Sequence, residues 1–167
     1  MSSTEKILLI VRHGKALQDY RQIADIDRPL TERGILNNFS VARRLQMQES
    51  APCLIVSSPA ARALHTAHIF ARVLGYPACR VQVDEDLYMH GYDAALSVLS
   101  ALPQDVRSVM LVAHNPDMSC LANTFIPQAS LSLPTSCVVS VRLDIPQWEL
   151  LDQADRNCPY RLYTADN

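Results

Sequence analysis

Two histidines and two arginines of this chain each follow a short apolar run that predicts a buried strand. They are Arg12, His13, Arg62 and His114. A neutral imidazole can act as a nucleophile, and a guanidinium binds phosphate or carboxylate oxygens through paired N–H donors. A single histidine or arginine in a loop is more often structural than catalytic. The shared placement of these four instead predicts one site for an anionic ligand.

Arg62 carries a second signal, because it falls in the first turn of a predicted helix. Unpaired backbone N–H groups and the helix dipole disfavour a cation there. An anion between the arginine and the helix terminus would remove the conflict. A salt bridge to a neighbouring carboxylate would do the same, so both interpretations stay open.

Apolar, β-branched runs predict the strands that position these side chains. The central strands are expected at 7–11, 53–56 and 108–112, with a short strand at 80–83. Two more are expected at 137–143 and 148–152, joined by a turn that contains Pro146.

Apolar residues at helical spacing predict four helices. The first begins after the N-cap Thr31 and reaches about Glu49. The second begins with Ser58 as N-cap and Pro59 at the first helical position, and it ends at Gly75. The others are expected at 93–102 and 116–125.

Alternation of strands and helices predicts an α/β fold, a three-layer αβα sandwich with a mainly parallel central sheet and helices on both faces. A length of 167 residues fits a single domain over 1–167. In such sheets the ligand crevice lies beyond the carboxyl ends of the strands, where the two histidines and two arginines are expected to meet.

Charge and cysteine usage exclude several classes of protein. A net charge of -2 argues against a protein that coats nucleic acid, although residues 1–80 hold 11 basic and 6 acidic side chains and residues 81–167 hold 4 and 11. The five cysteines form no C-x-x-C pair and none begins C-x5-R, which excludes a disulfide framework and a cysteine phosphatase. The apolar runs are too short to span a membrane. The cysteine pattern indicates a reducing compartment, and the apolar run at 7–11 is shorter than that of a signal peptide, so a cytoplasmic protein is expected. No metal or cofactor motif is present, and none is expected.

Four sequence blocks resemble the histidine phosphatase superfamily, and its small SixA-type phosphohistidine phosphatases in particular. The blocks are LLIVRHG at 8–14, DRPLT at 27–31 with Gly34, SSP at 57–59 with Arg62-Ala63 and Thr66-Ala67, and VAHNP at 112–116. The resemblance implies a phosphoglycerate mutase-like fold. It also implies that His13 is the nucleophile that becomes phosphorylated, that Arg12 and Arg62 clamp the phosphate, that His114 is the second pocket histidine, and that Arg28 is a further phosphate contact.

His13 must be neutral to attack, with a lone pair free on one ring nitrogen. The other nitrogen is then expected to donate a hydrogen bond to a backbone carbonyl. The positive charge of the arginines should lower the pKa of His13 and stabilise the transferring phosphoryl group.

The segment 84–91 decides which substrate bond the site can break. Family members that act on alcohol esters carry a carboxylic acid here, and the resemblance places Met89 at its position. Glu85 and Asp86 are the candidate proton donors through a shifted loop, and His90 is another. A missing acid would favour a P–N bond, because imidazole leaves far more easily than an alkoxide.

Three hypotheses follow. The first is a phosphatase acting on a phosphohistidine-bearing protein, such as a phosphorelay or phosphotransfer carrier. The second is a small-molecule phosphomonoesterase or mutase of the same superfamily, with Glu85 or Asp86 as the acid. The third is a phosphate-binding module without catalytic activity. Neither nucleic acid nor a membrane is expected as a partner.

Overall fold

A six-stranded sheet forms the centre of the protein. The computed structural model describes residues 5–18 and 21–165, and its strands are β1 (Glu5–Arg12), β2 (Leu54–Ser57), β3 (Gln82–Val83), β4 (Ser108–Ala113), β5 (Val138–Asp144) and β6 (Tyr160–Tyr163). They lie in the order β3-β2-β4-β1-β5-β6. The first four of these are parallel to one another, and β5 and β6 are antiparallel additions at one side. The sheet is therefore mainly parallel, as predicted.

Four helices cover the two faces of the sheet. They are α1 (Glu32–Gln48), α2 (Ala61–Leu74), α3 (Tyr92–Ser100) and α4 (Asp117–Phe125). Alternate residues of β1 face opposite layers: Leu8 and Ile10 belong to the core beneath α3 and α4, while Leu9 and Val11 belong to the core beneath α1 and α2. This arrangement confirms the predicted αβα sandwich. Among the described residues, none of the helices has both the length and the apolar character needed to cross a membrane.

The predicted start of α1 is confirmed and that of α2 is wrong. Thr31 caps α1 by accepting a hydrogen bond from the backbone N–H of Gly34 at 3.0 Å. Helix α2 begins at Ala61, and its N-cap residue Ala60 makes no side-chain cap. The hydroxyl of Ser58, expected to be the cap, lies instead beside a histidine of β4's carboxyl end. Gly75 ends α2 in the left-handed conformation, with φ 72°.

Two predictions for the C-terminal part are also corrected. The segment predicted as a strand at 148–152 is a 3₁₀ helix, Trp148–Gln153, because Trp148 and Leu151 are buried at a three-residue spacing. The indole of Trp148 donates a hydrogen bond to the carbonyl of Val106 at 2.8 Å. The partner of β5 is Tyr160–Tyr163, which the sequence did not reveal because three of its four side chains are exposed.

Candidate active site

The register of β1 with β4 brings the two predicted histidines together. Arg12 is paired with Ala113 across these parallel strands, so His13 and His114 emerge side by side at the carboxyl edge of the sheet. Their ring centroids are 5.0 Å apart, with the planes tilted by 60°. The parallel pairing therefore joins residues that are about a hundred positions apart in sequence.

His13 is held with one ring nitrogen occupied. Its Nδ1 lies 2.7 Å from the carbonyl oxygen of Gly14, which can only accept, so Nδ1 carries the proton and Nε2 keeps its lone pair. The Gly14 N–H in turn donates to Oγ1 of Thr66 at 3.0 Å, which anchors this turn to α2. The predicted bond to a backbone carbonyl is therefore present.

Burial lowers the pKa of His13 to about 4, against an opposing contribution from the Gly14 carbonyl. The charges of Arg62, Arg12 and Arg28 lower it further. The direction expected from the arginines is thus confirmed, but burial is the larger cause. The imidazole is neutral at neutral pH, which is the form that can attack a phosphorus atom.

His114 is also neutral, and its partner is Ser58. Burial, followed by the proximity of His13 and the charge of Arg62, lowers the pKa of His114 to about 3. Its Nε2 lies 2.8 Å from Oγ of Ser58, which accepts from the backbone N–H of Ala60 at 3.3 Å. The serine proton is then free to donate to Nε2, an assignment from the hydrogen-bond network that places the ring proton on Nδ1.

Arg62 is the most buried cation of this site, with 5% of its surface exposed. It donates to the backbone carbonyl of Asp25 at 2.7 Å and forms a salt bridge with its carboxylate at 3.0 Å. The sequence left open whether an anionic ligand or a neighbouring carboxylate accompanies this cation in the first turn of α2. The structure shows a neighbouring carboxylate, that of Asp25. Asp25 lies in the connection between β1 and α1.

Arg28 and Arg12 are held by other parts of the same region. Arg28 donates through Nε to the Asp25 carboxylate at 2.8 Å and through a terminal nitrogen to the carbonyl of Leu17 at 2.8 Å. Arg12 donates to the carbonyl of Leu133 at 2.6 Å. The Nε atoms of Arg12 and Arg62 and Nδ1 of His114 are buried without a hydrogen-bond partner in the described part of the chain. Buried donors of this kind are normally satisfied, so an anion with several acceptor oxygens suits the site.

A cavity of about 470 Å³ opens beside these groups. Its lining residues are Asp25, Arg62, Tyr88, Met89, Gly91, His114, Asn115, Pro116 and Asp117. The Tyr88 ring packs edge-on against His114 at 5.7 Å between centroids. Met89 is 80% exposed and adds an apolar side chain to the wall.

The structure does not bring Glu85 and Asp86 into this cavity. Both are exposed on a 3₁₀ turn, Glu85–Leu87, that directs Leu87 into the core. Asp86 lies 3.8 Å from Nδ1 of His90, which is also exposed. Among residues 5–18 and 21–165, the carboxylates that line the cavity are Asp25 and Asp117, and burial raises the pKa of Asp117.

Sequence reasoning missed three side chains of this site: Asp25, Ser58 as a partner of His114, and Asp117. For Asp25 a weak signal was available, since an acid three residues before Arg28 is at the spacing of a local ion pair. Ser58 was predicted to be a helix N-cap, and Asp117 directly follows the 112–116 block without having been singled out.

Comparisons with known proteins show what this chain is similar to. A model of the histidine phosphatase superfamily (branch 1) matches residues 8–88. A structure of the protein histidine phosphatase SixA complexed with tungstate is similar, with 26% identity, 95% of this chain and 97% of that chain covered, and a TM-score of 0.78. A SixA protein from Nakamurella multipartitia, described as a candidate phosphohistidine phosphatase, has 22% identity, coverage of 96% and 95%, and a TM-score of 0.81.

A mycobacterial glucosyl-3-phosphoglycerate phosphatase shares the fold at 19% identity, with 95% of this chain and 97% of that chain covered and a TM-score of 0.63. Curated protein sequences gave no match. The sheet, its two helical layers and the histidines at its carboxyl edge define a phosphoglycerate mutase-like α/β protein. Its N-terminal half, residues 8–88, is similar to the histidine phosphatase superfamily, and its fold is similar to that of SixA phosphatases.

Proposed function

We propose that this protein is a phosphatase that hydrolyses phosphohistidine in a protein, by way of a phosphoryl group carried on His13. The observation that supports this proposal most directly is the 2.7 Å bond from Nδ1 of His13 to the Gly14 carbonyl. It holds the ring in the tautomer whose Nε2 is a nucleophile, among three arginines that lower its pKa.

The reaction has two steps. In the first, the Nε2 lone pair of His13 forms a bond to phosphorus, and the substrate's P–N bond breaks with its electron pair on the departing imidazole. In the second, water attacks the phosphorus of phospho-His13, the P–Nε2 bond breaks, and phosphate leaves as the water proton is released. Arg12, Arg28, Arg62 and the Nδ1–H of His114 stabilise the phosphoryl oxygens in both steps.

Two features support a P–N rather than a P–O bond. The predicted proton donors Glu85 and Asp86 lie outside the cavity, and Met89 adds an apolar side chain to its wall. A departing imidazole, with a pKa near 6.5, does not require the strong acid that an alkoxide does. The SixA relatives support a phosphohistidine substrate, which in a protein would be a phosphorelay or phosphotransfer carrier.

Trapping the covalent intermediate tests the proposal. The native protein, mixed with a ³²P-phosphohistidine peptide and quenched in alkali, should carry an acid-labile label on His13. His13→Ala should abolish the label and reduce turnover by more than about 10⁴-fold, the scale seen when a nucleophile is removed. His68→Ala, an exposed histidine of α2, serves as the control. Phosphohistidine turnover without a label on His13 would contradict the proposal. No turnover at all would also contradict it, and would favour the hypothesis of a phosphate-binding module without catalytic activity.

The second candidate function, a small-molecule phosphomonoesterase, is favoured by Asp117. This carboxyl group lines the cavity, and burial raises its pKa, as a proton donor to an alkoxide requires. If this function is correct, alkyl phosphates should be turned over faster than phosphohistidine, and Asp117→Asn should reduce only the alkyl ester rate. The glucosyl-3-phosphoglycerate phosphatase shows that this fold also serves a small phosphorylated substrate.

A further inference from the structure

Asp25 lies in the middle of the candidate site, yet the two reaction steps give it no role. Its carboxylate accepts hydrogen bonds from Arg28 on Oδ1 at 2.8 Å, and from Arg62 and Tyr88 on Oδ2 at 3.0 and 2.8 Å. These partners come from the β1–α1 connection, from α2 and from the turn after β3. One side chain thus ties together three separate segments around the cavity.

The Asp25 carboxylate is ionised at neutral pH. Burial by itself would raise its pKa, but the hydrogen bonds from Tyr88, Arg28 and Arg62 lower the pKa to about 2. A carboxylate has about four lone-pair positions, and three are used here. Donors from the described residues leave one position on Oδ1, and the side chain is 52% exposed on the cavity wall. Asp25 can therefore accept a further hydrogen bond from a molecule in the cavity.

A fixed negative charge at this place has an electrostatic cost for binding phosphate. The Asp25 carboxylate binds the same guanidinium groups that are proposed to bind the phosphoryl oxygens, so it competes with the phosphate for them. Its charge also repels a phosphate dianion. For a substrate with an alcohol leaving group, nothing offsets that repulsion. For phosphohistidine, the ring attached to phosphorus carries a second nitrogen, and when this nitrogen is protonated the ring is a cation with an N–H donor.

We propose that Asp25 is a specificity-determining residue that accepts a hydrogen bond from the ring N–H of the phosphorylated imidazole. This inference rests on the proposed phosphohistidine activity. The carboxylate favours the protonated ring, so that when the P–N bond breaks the electron pair returns to the ring and a neutral imidazole departs. No proton has to be delivered during that step, which is consistent with a cavity whose wall carries the apolar side chain of Met89.

The test compares two substrate classes in two variants. Asp25→Asn keeps the size of the side chain and removes its charge. For a phosphohistidine peptide, kcat/KM should fall by about 10- to 100-fold, as on loss of a hydrogen bond to a charged group. For p-nitrophenyl phosphate, which has no ring N–H to donate, kcat/KM should fall much less, so that the ratio of the two rates drops by about 10-fold or more. The control is Asp27→Asn: Asp27 lies two residues along the same turn, is exposed and does not line the cavity, and its substitution should leave the ratio of the two rates unchanged.

A second measurement does not depend on the folding of the variant. Phosphoimidazole and its N-methylated form differ in the ring N–H, and each enzymatic rate is divided by the spontaneous hydrolysis rate of that substrate. Methylation should reduce the native protein's relative kcat/KM and should have little effect on Asp25→Asn. The inference is overturned if methylation does not change the relative kcat/KM of the native protein. It is also overturned if Asp25→Asn lowers kcat/KM equally for both substrate classes, because Asp25 then has a structural role only. The proposed function would survive either result, since it fails only if phosphohistidine is not turned over through His13.

Discussion

Ser58 and His114 are 56 residues apart in the chain, and their side chains meet at 2.8 Å between Oγ and Nε2. The serine directly follows the carboxyl end of β2, and the histidine directly follows that of the adjacent parallel strand β4. Because the hydroxyl already accepts the Ala60 N–H, its own proton is available to His114. A hydrogen bond donated by Ser58 to Nε2 favours the tautomer of His114 whose proton is on Nδ1.

Ser58→Ala should reduce kcat by about 10-fold, the value of one hydrogen bond in a buried site. Without the hydroxyl, His114 is free to place its proton on Nε2, which removes the donor from Nδ1. The ¹⁵N chemical shifts of the His114 ring report the tautomer directly. Ser57→Ala removes a buried hydroxyl one residue earlier, bonded to the Ser58 carbonyl, and should leave both the tautomer and the rate close to native. Equal rate losses in the two variants would remove the assigned role of Ser58.

Arg62→Lys should reduce kcat/KM almost as much as complete loss of the side chain. The guanidinium binds the Asp25 carbonyl and carboxylate through two different nitrogens, and a single ammonium cannot reproduce that geometry while binding a phosphoryl group. We expect kcat/KM to fall by about 100- to 1,000-fold, and calorimetry should show weaker binding of inorganic phosphate. Arg72→Lys makes the same exchange at an exposed position in the last turn of α2 and should have no effect. Native-like phosphate affinity in Arg62→Lys would show that Arg62 is not a phosphate ligand.

Two glycines at the contact between α1 and the turn after β1 should differ in their tolerance of a methyl group. A Cβ at Gly34 would lie 2.3 Å from the backbone carbonyl oxygen of Lys15, whereas a Cβ at Gly14 would lie 2.6 Å from the side-chain nitrogen of Asn38. A side chain can move more easily than backbone, so Gly34→Ala should lower the free energy of unfolding more than Gly14→Ala.

Losses of about 1 to 3 kcal/mol are typical of such overpacking, and urea denaturation measures them. Ser40→Ala, on the exposed side of α1, should change the free energy of unfolding by less than about 0.5 kcal/mol. Adding Asn38→Ala should recover part of the free energy of unfolding lost in Gly14→Ala, but none of that lost in Gly34→Ala. A larger loss in Gly14→Ala than in Gly34→Ala would contradict the packing described here.

The lowered histidine pKa values predict how stability depends on pH. In the unfolded chain His13 and His114 take up protons below about 6.5, while in the folded protein they do so near 4 and 3. Between these values the unfolded state binds more protons, so the free energy of unfolding should fall as the pH decreases from about 6.5 to about 4. Denaturation curves at several pH values should show a shallower decrease in His114→Gln than in the native protein. An exposed control, His68→Gln, should show the native dependence of the free energy of unfolding on pH. The same dependence in His114→Gln would refute the lowered pKa of His114.

Local patterns were sufficient for most of the fold. The apolar runs around β1, β2 and β4 are strands because their residues are buried on both faces, and Thr31 and Gly75 mark helix ends through their own backbone chemistry. The predictions failed where the neighbours decide the structure. Residues 148–153 form a 3₁₀ helix because the core beneath α3 takes both Trp148 and Leu151, and no local pattern reveals that.

The sequence by itself determined that two histidines and two arginines follow the carboxyl ends of parallel strands, because strand burial and the order of strands and helices are encoded in neighbouring residues. Only the tertiary structure decided which side chains meet there. Arg62 and Tyr88, which both bind Asp25, lie 37 and 63 residues away from it along the chain. Hydrogen bonds of about 3 Å between such segments depend on how the layers pack, which spacing along the chain does not specify.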